Sequence, residues 1–322
     1  MSDALEALLQ EGRTFPPPPA FRKTALDTDA SVYEHAERDW QGFWAAQALE
    51  LDWINEWQTI LEWDLPFAKW FVGGKLNVAY NCLDRHVNAG HGAQIAFYWE
   101  GEPGDTRTVS YRDLLEETCR IANTLRSFGV DKGDRVAIYM GMVPETVATM
   151  LACARIGAPH SVVFGGFSAQ SLKDRINDAQ AKVLVTADGA WRRGAVVALK
   201  DIADDALADT PSIERVLVLR RTHNDVEMHT PRDIWWHDIV AGQPSECPCE
   251  EMDSEDLLYL LYTSGTTGKP KGIMHTTGGY LTQCTYTHKH VFDLHHDTDV
   301  YWCTADVGWV TGHSYIVYGP LA

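Results

Sequence analysis

The chain has 322 residues, of which 45% are hydrophobic and 22% charged, and its formal net charge is −18 at pH 7. This balance is typical of a globular protein with room for one large domain or two, and it argues against disorder. Because a surface that tracks nucleic-acid phosphates is basic overall, the charge excludes general nucleic-acid binding, although a local cluster of cations can still hold a small anion.

The N-terminal 90 residues are predicted to form an arm and a helical cap. Residues 14–20, FPPPPAF, predict an extended arm on the surface. Six tryptophans follow, and their density favours aromatic packing against a larger body over a cofactor site. They are Trp40, Trp44, Trp53, Trp57, Trp63 and Trp70.

From residue 91 to the end, strand and helix patterns alternate, which predicts an α/β domain with a mostly parallel sheet. Ser110 and Asp113 have the spacing of a capping box, so a helix is predicted to begin there. Residues 241–256, polar and acidic, are predicted to be a surface loop. The predicted strands are Gln94–Trp99, Thr106–Ser110, Arg135–Met140, Ser161–Phe164, Lys182–Thr186, Arg215–Arg220 and Leu257–Tyr262. The further predicted helices are Pro144–Arg155, Ser168–Ala179 and Arg192–Leu207.

The richest local signal is a ten-residue loop directly after the last of these strands. It contains Thr263, Ser264, Gly265, Thr266, Thr267, Gly268, Lys269, Pro270, Lys271 and Gly272. Glycines let backbone N–H groups approach an anion closely, and hydroxyls and lysines add charge-assisted hydrogen bonds. A solvated turn is the alternative, but the flanking strand and apolar residues favour a phosphate-binding loop. It is not a Walker A loop, because Pro270 follows Lys269 and the residue five before Gly268 is Thr263.

The loop sequence YTSGTTGKPKG resembles the signature loop of the adenylate-forming enzymes. Further segments resemble the AMP-forming acetyl-CoA synthetases of that superfamily, so that the resemblance runs from about residue 14 to the end. These segments are 62–87, 162–176, 275–281 and 301–322. The resemblance implies an N-terminal body of α/β subdomains that activates acetate with ATP and passes the acetyl group to coenzyme A.

The resembling enzymes also continue beyond the position of Ala322, with adenine-site motifs, a hinge and a small domain that carries a catalytic lysine. The resemblance therefore implies that residues 91–322 are an incomplete AMP-binding domain and that this chain alone is inactive, with no catalytic residue of its own. Two alternatives stay open: another short-chain acyl-CoA synthetase of the propionyl type, and a non-catalytic fragment that binds nucleotide or CoA.

The resemblance also implies ligand contacts. The loop from Thr263 to Lys271 would hold the ATP phosphates, while Mg²⁺ would be held by phosphate oxygens and water, so no protein metal ligand is predicted. CoA contacts are implied for Phe164, Gly165, Arg192, Arg193, Gly194, Ala195 and Thr311. Acyl-pocket contacts are implied for Trp309, Val310 and Thr311. Ala195 replaces a second basic residue of the family, and Arg193 is the candidate to compensate for it. Without the resemblance, the favoured interpretation of Arg192 is a solvated residue at a helix start.

The remaining signals favour ordinary roles. The histidines His288, His290, His295 and His296 lack the ligand spacing of a zinc site. Seven cysteines are scattered, no secretory signal is visible and no apolar run approaches the roughly eighteen residues of a membrane span. We therefore expect a cytoplasmic protein with reduced thiols and small-molecule partners, namely acetate, ATP and CoA, without nucleic-acid or membrane partners.

Overall fold

The computed structural model of the protein describes residues 12, 14–263 and 270–322. Its N-terminal part begins with the three short helices α1 (Pro19–Thr24), α2 (Ser31–Arg38) and α3 (Trp40–Ala48). An antiparallel hairpin of β1 (Thr59–Asp64) and β2 (Phe67–Val72) follows. The tryptophan-rich cap is therefore helical only in its first part, since Trp63 and Trp70 lie on the hairpin.

The tryptophans of this segment make aromatic contacts. Trp44 of α3 lies edge-to-face against Tyr286, with ring centroids 5.4 Å apart. Trp53 and Trp57 pack on each other, and both pack on the buried ring of Phe71. Trp44 thus joins the N-terminal segment to a helix some two hundred residues later in the chain, while the other two rings build a local aromatic core.

Strands and helices alternate through the rest of the chain, as predicted. A short β3 (Lys75–Leu76) leads into a helical segment, 78–91, which contains two π-helical turns. The later strands are β4 (Ile95–Glu100), β5 (Thr106–Ser110), β6 (Val136–Tyr139), β7 (His160–Val162), β8 (Val183–Ala187), β9 (Ala190–Arg192), β10 (Ala195–Val197), β11 (Arg215–Leu219), β12 (Asp233–Trp235), β13 (Met252–Asp253), β14 (Leu257–Thr263) and β15 (Lys271–Thr276). The later helices are α4 (Tyr111–Ser127), α5 (Pro144–Ile156), α6 (Ala169–Ala179), α7 (Leu199–Leu207), α8 (Trp236–Ile239), α9 (Gly278–Tyr286), α10 (Val310–Gly312) and α11 (Gly319–Leu321), with a π-helical turn, His313–Tyr318, joining the last two.

A seven-stranded sheet carries the fold, in the order β12–β11–β8–β6–β7–β14–β15. Its first six strands run parallel, and β15 is antiparallel to β14. Successive side chains of β6 enter two different cores: Val136 and Ile138 pack with α4 and α5, whereas Ala137 and Tyr139 pack with α6 and α7. The central strand is thus buried on both faces, which is the pattern of a sheet covered by helices on both sides. The predicted α/β class with a mostly parallel sheet is confirmed.

The prediction of one helix over Arg192–Leu207 is wrong at its N-terminal end. Residues 190–197 form the antiparallel hairpin β9–β10, and α7 begins only at Leu199. Arg193 and Gly194 form the two-residue turn with φ values of 52° and 76°. Positive φ at both positions is the geometry of a type I′ turn, whose twist matches that of paired strands. The chain therefore reverses direction where a helix was predicted to begin.

The predicted surface loop 241–256 is only partly exposed. Cys247 and Met252 are buried, and β13 within this segment pairs with β3. The guanidinium of Arg155 donates to the Cys247 carbonyl and to the carboxylate of Asp84, and the Arg155 carbonyl accepts from the N–H of Glu250 at 2.8 Å. Arg155 of α5, paired with Asp84, thus holds the segment against the core through its hydrogen bonds with Cys247 and Glu250. Among the described residues, none of the helices combines the length and hydrophobicity that crossing a bilayer requires.

Candidate functional site

The parallel strands place the predicted site residues along one edge of the sheet. Phe164 and Gly165 follow the carboxyl end of β7, and the predicted phosphate loop follows the carboxyl end of β14. Because β7 and β14 are parallel neighbours, these two ends lie on the same edge. In open α/β sheets, ligands bind in the crevice outside the carboxyl ends of the strands. The candidate site is therefore this edge.

Phe164 is the centre of a stack that joins three distant parts of the chain. The guanidinium carbon of Arg192 lies 4.4 Å from the centroid of the Phe164 ring. The Trp309 ring packs on Phe164 from another side, with centroids 4.6 Å apart. A guanidinium over an aromatic face is held by about 0.5–1 kcal/mol at an exposed site. Of the residues assigned to CoA and acyl binding, the structure thus brings Phe164, Arg192 and Trp309 together.

Glycines make this approach possible. At Gly165 a Cβ atom would lie 3.2 Å from the Met140 carbonyl oxygen. At Gly166 a Cβ would collide with a guanidinium nitrogen of Arg192, and at Gly308 it would lie 2.9 Å from the Phe164 Cβ. Larger residues at Gly166 and Gly308 would therefore disturb the stack, whereas Gly165 allows its backbone to lie close to that of Met140.

Asp306 is a carboxylate beside the stack that the sequence analysis missed. It is half-buried, and its Oδ1 accepts a hydrogen bond from the Gly308 N–H at 2.8 Å. Burial raises the pKa of Asp306, while the Gly308 N–H and the positive charge of Arg192 oppose that rise. The Asp-x-Gly spacing, which is typical of a side chain that bonds its own backbone two residues on, could have indicated it.

Trp309, Val310 and Thr311 lie where the chain enters its last helical segment, 310–321. Trp309 has an extended backbone, with φ −121° and ψ 158°, and its side chain is 47% exposed. Val310 is 45% exposed and Thr311 is also exposed, and both belong to the first helical turn. The predicted acyl-pocket residues thus present a small apolar surface beside the Phe164 stack.

Arg193, Gly194 and Ala195 belong to the β9–β10 turn rather than to a helix start. Ala195 pairs with Arg192 across the hairpin, and the Gly194 N–H donates to the Glu102 carboxylate. Arg193 is exposed at the tip of the turn. Among the described residues, Arg192 is the arginine that stacks on Phe164. The hypothesis that Arg193 replaces the basic residue which the family has at the position of Ala195 stays a prediction.

The base of the predicted phosphate loop is a strand pair. Thr263 is the partner of Lys271 at the end of the β14–β15 ladder, and both are exposed. At Gly272 a Cβ atom would lie 3.1 Å from the ring of Tyr262, so this glycine allows the two strands to close. The loop residues Ser264, Gly265, Thr266, Thr267, Gly268 and Lys269 lie outside the described residues.

Packed side chains connect the loop base with the Phe164 stack. The Arg175 guanidinium lies between two rings, 5.5 Å from the centroid of Tyr262 and 4.7 Å from that of Phe167. Phe167 in turn lies edge-to-face against Phe164, at 5.4 Å. Packed side chains therefore run without a break from Tyr262, next to the base of the predicted loop, to Phe164.

A buried aspartate shapes the same edge at the end of β8. The Asp188 carboxylate accepts hydrogen bonds of 2.7–2.9 Å from the backbone N–H groups of Gly189, Arg221, Thr222 and His223. Asp188 is fully buried. It thus ties the segment after β8 to the segment after β11, and it holds the base of the hairpin that carries Arg192.

We expect Asp188→Ala to lower the free energy of unfolding by about 3 kcal/mol, because four backbone N–H groups lose the buried carboxylate that accepts their hydrogen bonds. Urea denaturation of the purified chain measures this change. Asp205→Ala is the matched control, since Asp205 is exposed on α7. Equal midpoints for the two variants would show that the Asp188 carboxylate does not hold these segments.

Two protein-family models together match residues 30–322. The model of the AMP-binding enzyme family matches residues 83–322, and the model of the acetyl-coenzyme A synthetase N-terminus matches residues 30–82. The chain therefore belongs to the AMP-binding enzyme family. The mostly parallel sheet and the helices that cover it are the N-terminal part of the adenylate-forming fold.

Several curated relatives carry the name acetyl-coenzyme A synthetase. The protein of Rubrobacter xylanophilus is 60% identical over 311 residues, which cover 96% of this chain and 48% of the relative. That of Streptomyces avermitilis is 58% identical over 322 residues, which cover 100% of this chain and 49% of the relative. A Mycobacterium tuberculosis relative is 57% identical over 321 residues, which cover 98% of this chain and 49% of the relative. The chain spans about half the length of the curated relatives it matches.

Proposed function

We propose that this chain is the nucleotide- and CoA-binding half of an AMP-forming acetyl-CoA synthetase. The observation that carries the proposal is the 58–60% identity with proteins of that name along practically the whole chain. The names of these relatives favour acetate over propionate as the acid. The site geometry supports the proposal, because a predicted phosphate loop and a cationic aromatic stack share one edge of the sheet.

In the first step, the acetate carboxylate attacks the α-phosphorus of ATP, a P–O bond forms, and the bond to the leaving pyrophosphate breaks. The loop from Thr263 to Lys271 would cradle the β- and γ-phosphates, with Lys269 and Lys271 as counter-charges. Catalysis of such a step is mostly positioning and electrostatic stabilisation. In the second step, the CoA thiol attacks the acyl carbon and AMP leaves.

Magnesium fits this arrangement as an ion carried by the substrate. Within residues 12, 14–263 and 270–322, no group of three or more histidine, cysteine, aspartate or glutamate side chains is arranged to hold a metal ion. Mg²⁺ prefers phosphate oxygens and water in such sites, where it neutralises the phosphate charge. That phosphate oxygens and water hold Mg²⁺ here stays a prediction.

Arg192, stacked on Phe164, is the proposed contact for a phosphate of CoA. A guanidinium presents paired N–H donors that match phosphate oxygens, and the aromatic ring beneath it offers a face on which a base can stack. Thr311 and the apolar Trp309 and Val310 would line the path of the acyl group. A pocket wall of this kind discriminates by about 1–3 kcal/mol for each methylene.

The proposal is tested in an extended chain, defined as residues 1–322 followed by the part of the Streptomyces avermitilis relative that lies beyond the match. Acetate-dependent exchange of label between pyrophosphate and ATP measures adenylate formation, and CoA-dependent thioester formation measures the second step. Faster exchange with propionate than with acetate would make the protein a propionyl-type synthetase. Absence of exchange with either acid would contradict the proposal.

Arg192→Glu in the extended chain should raise the KM for CoA about 30-fold and leave pyrophosphate exchange within about twofold of the unsubstituted chain, because the reversed charge repels a phosphate in the second step only. Arg220→Glu is the matched control. Arg220 also stacks on an aromatic ring, that of Trp235, but Trp235 lies on β12, the first strand of the sheet, and not beside β7 and β14. If exchange falls as much as thioester formation, Arg192 is not a dedicated CoA contact.

We also propose that the protein acts in the cytoplasm, where the free cysteines of the chain would stay reduced. The division into a segment 1–90 and a domain 91–322 stays a prediction.

A further inference from the structure

His313 is a fully buried side chain that contacts the backbone of the candidate site. Its backbone N–H and its Nδ1 both lie at hydrogen-bond distance from the Trp309 carbonyl oxygen, at 3.2 and 3.1 Å. A carbonyl oxygen can only accept, so Nδ1 must carry the hydrogen. The Trp309 carbonyl thus accepts two hydrogen bonds from His313: the ordinary helical bond from its backbone N–H and a second bond from its side chain.

The surroundings of His313 keep the ring neutral. It stacks on Tyr259, with ring centroids 4.3 Å apart, and on His160, at 5.7 Å. Burial lowers the pKa of His313 to about 4, His275 adds to this, and the carbonyls of Trp309 and Val307 oppose it. In the neutral ring Nε2 is an acceptor, and it has no hydrogen-bond partner among the described residues. Among the described residues, the groups that act on the pKa of the ring include no aspartate or glutamate.

The position of this contact matters because the backbone changes conformation there. Trp309 is extended and Val310 begins the helix. The Trp309 N–H donates to the Asp306 carbonyl at 3.1 Å, so the residue is held from both ends. From this short stretch the indole projects onto Phe164 and the Val310 side chain projects to solvent.

We propose that His313 is a positioning residue for the acyl pocket: its Nδ1–H, donated to the Trp309 carbonyl, fixes the peptide from which the Trp309 and Val310 side chains project. The inference rests on the proposed function for the identity of the acid, but the hydrogen bond itself does not depend on it. The residue touches no reacting atom. It acts through the geometry of the pocket wall, where a displacement of about 1 Å can reduce the rate on the order of a hundredfold.

The first experiment is ¹⁵N NMR of the histidine side chains in the 322-residue chain. The chain has 13 histidines, and the ring signals that disappear in the H313N variant are those of His313. We expect the neutral ring with hydrogen on Nδ1 from pH 8 down to pH 5.5, since the folded pKa is about 4 and the unfolded one 6.5. An Nε2–H ring, or titration near pH 6.5, would overturn the inference.

The second experiment compares H313F and H313N in the extended chain. H313F keeps a ring to stack on Tyr259 but has no donor, whereas the amide of H313N can place an N–H close to the position of Nδ1. We expect H313F to raise the KM for acetate about tenfold with the KM for ATP within about twofold, and H313N to restore the KM for acetate.

Equal KM changes for acetate and ATP, or equal effects of the two substitutions, would show that His313 is merely structural. An extended chain without acetate-dependent exchange would remove the proposed function and leave the NMR result to decide the hydrogen bond. If H313F does not fold, H313N and the NMR titration still test the donor.

Discussion

Residues 1–322 alone should form acetyl-CoA from acetate, ATP and CoA at least a thousandfold more slowly than the extended chain. In the described residues Trp309 and Val310 are 47% and 45% exposed, so the wall of the predicted acyl pocket is open to water. The phosphate loop would hold a triphosphate at one end only. A substrate that is not held at both ends is not aligned for in-line attack, and alignment supplies much of the rate.

The measurement is acetyl-CoA formation by the two chains, purified in parallel and checked by mass. The Gly268→Val variant of the 322-residue chain serves as the control for contaminating host enzyme, because contamination does not depend on that substitution. Turnover by the unsubstituted chain that clearly exceeds this control would show that one half of the relatives' length is sufficient.

Gly268→Val should lower acetate-dependent pyrophosphate exchange of the extended chain at least a hundredfold. A loop that cradles phosphates needs its N–H groups within hydrogen-bond distance of the anion, and a β-branched side chain both restricts the backbone and occupies that space. Loss of one well-placed donor to a charged transition state already reduces kcat about a hundredfold or more.

Gly242→Val is the matched control for this substitution. A Cβ atom at Gly242 meets nothing within 4 Å, and the residue lies far along the chain from the loop, in a short 3₁₀ turn. Thermal unfolding of both variants separates a loss of fold from a loss of binding. Near-normal exchange in Gly268→Val, with the control also active, would remove the phosphate role from the loop.

Much of the fold follows from local sequence patterns. Ser110 and Asp113 form both hydrogen bonds of the predicted capping box, and α4 begins at the next residue, Tyr111. The helix predicted over Pro144–Arg155 ends within two residues of its predicted bound, where Gly157 adopts a left-handed conformation with φ 69°. Such signals depend on neighbours within a few residues, which is why the sequence alone predicts them.

The β9–β10 hairpin shows where local patterns fail. Alanine, valine and leucine after Gly194 are compatible with a helix, and Arg-Gly is a weaker signal for a type I′ turn than Asn-Gly. Three residues per strand also give too short an alternation to detect. The hairpin is stabilised by contacts from elsewhere, such as the Gly194 N–H to Glu102 and the stacking of Arg192 on Phe164.

The candidate site is predictable from sequence only through family resemblance. Phe164, Arg192 and Trp309 are far apart in the chain, and no spacing indicates that they meet. The spacing of Asp306 and Gly308 indicates their local hydrogen bond, but it does not indicate that Arg192 lies near Asp306. The hydrogen bond of His313 to the Trp309 carbonyl depends on the fold of the backbone there. A lone histidine in an apolar helix is more often part of a core, and its tautomer becomes apparent only with a structure.

The stack of Arg192 on Phe164 also bears on the thermodynamics of ligand binding. A free arginine side chain has about 2 kcal/mol of rotamer entropy, which it loses when a ligand immobilises it. Here the guanidinium already rests on an aromatic face, and Gly166 leaves room for it. Much of that entropy is lost when the chain folds, so an arriving phosphate meets a cation that is already oriented, and less of the interaction energy is spent on ordering it.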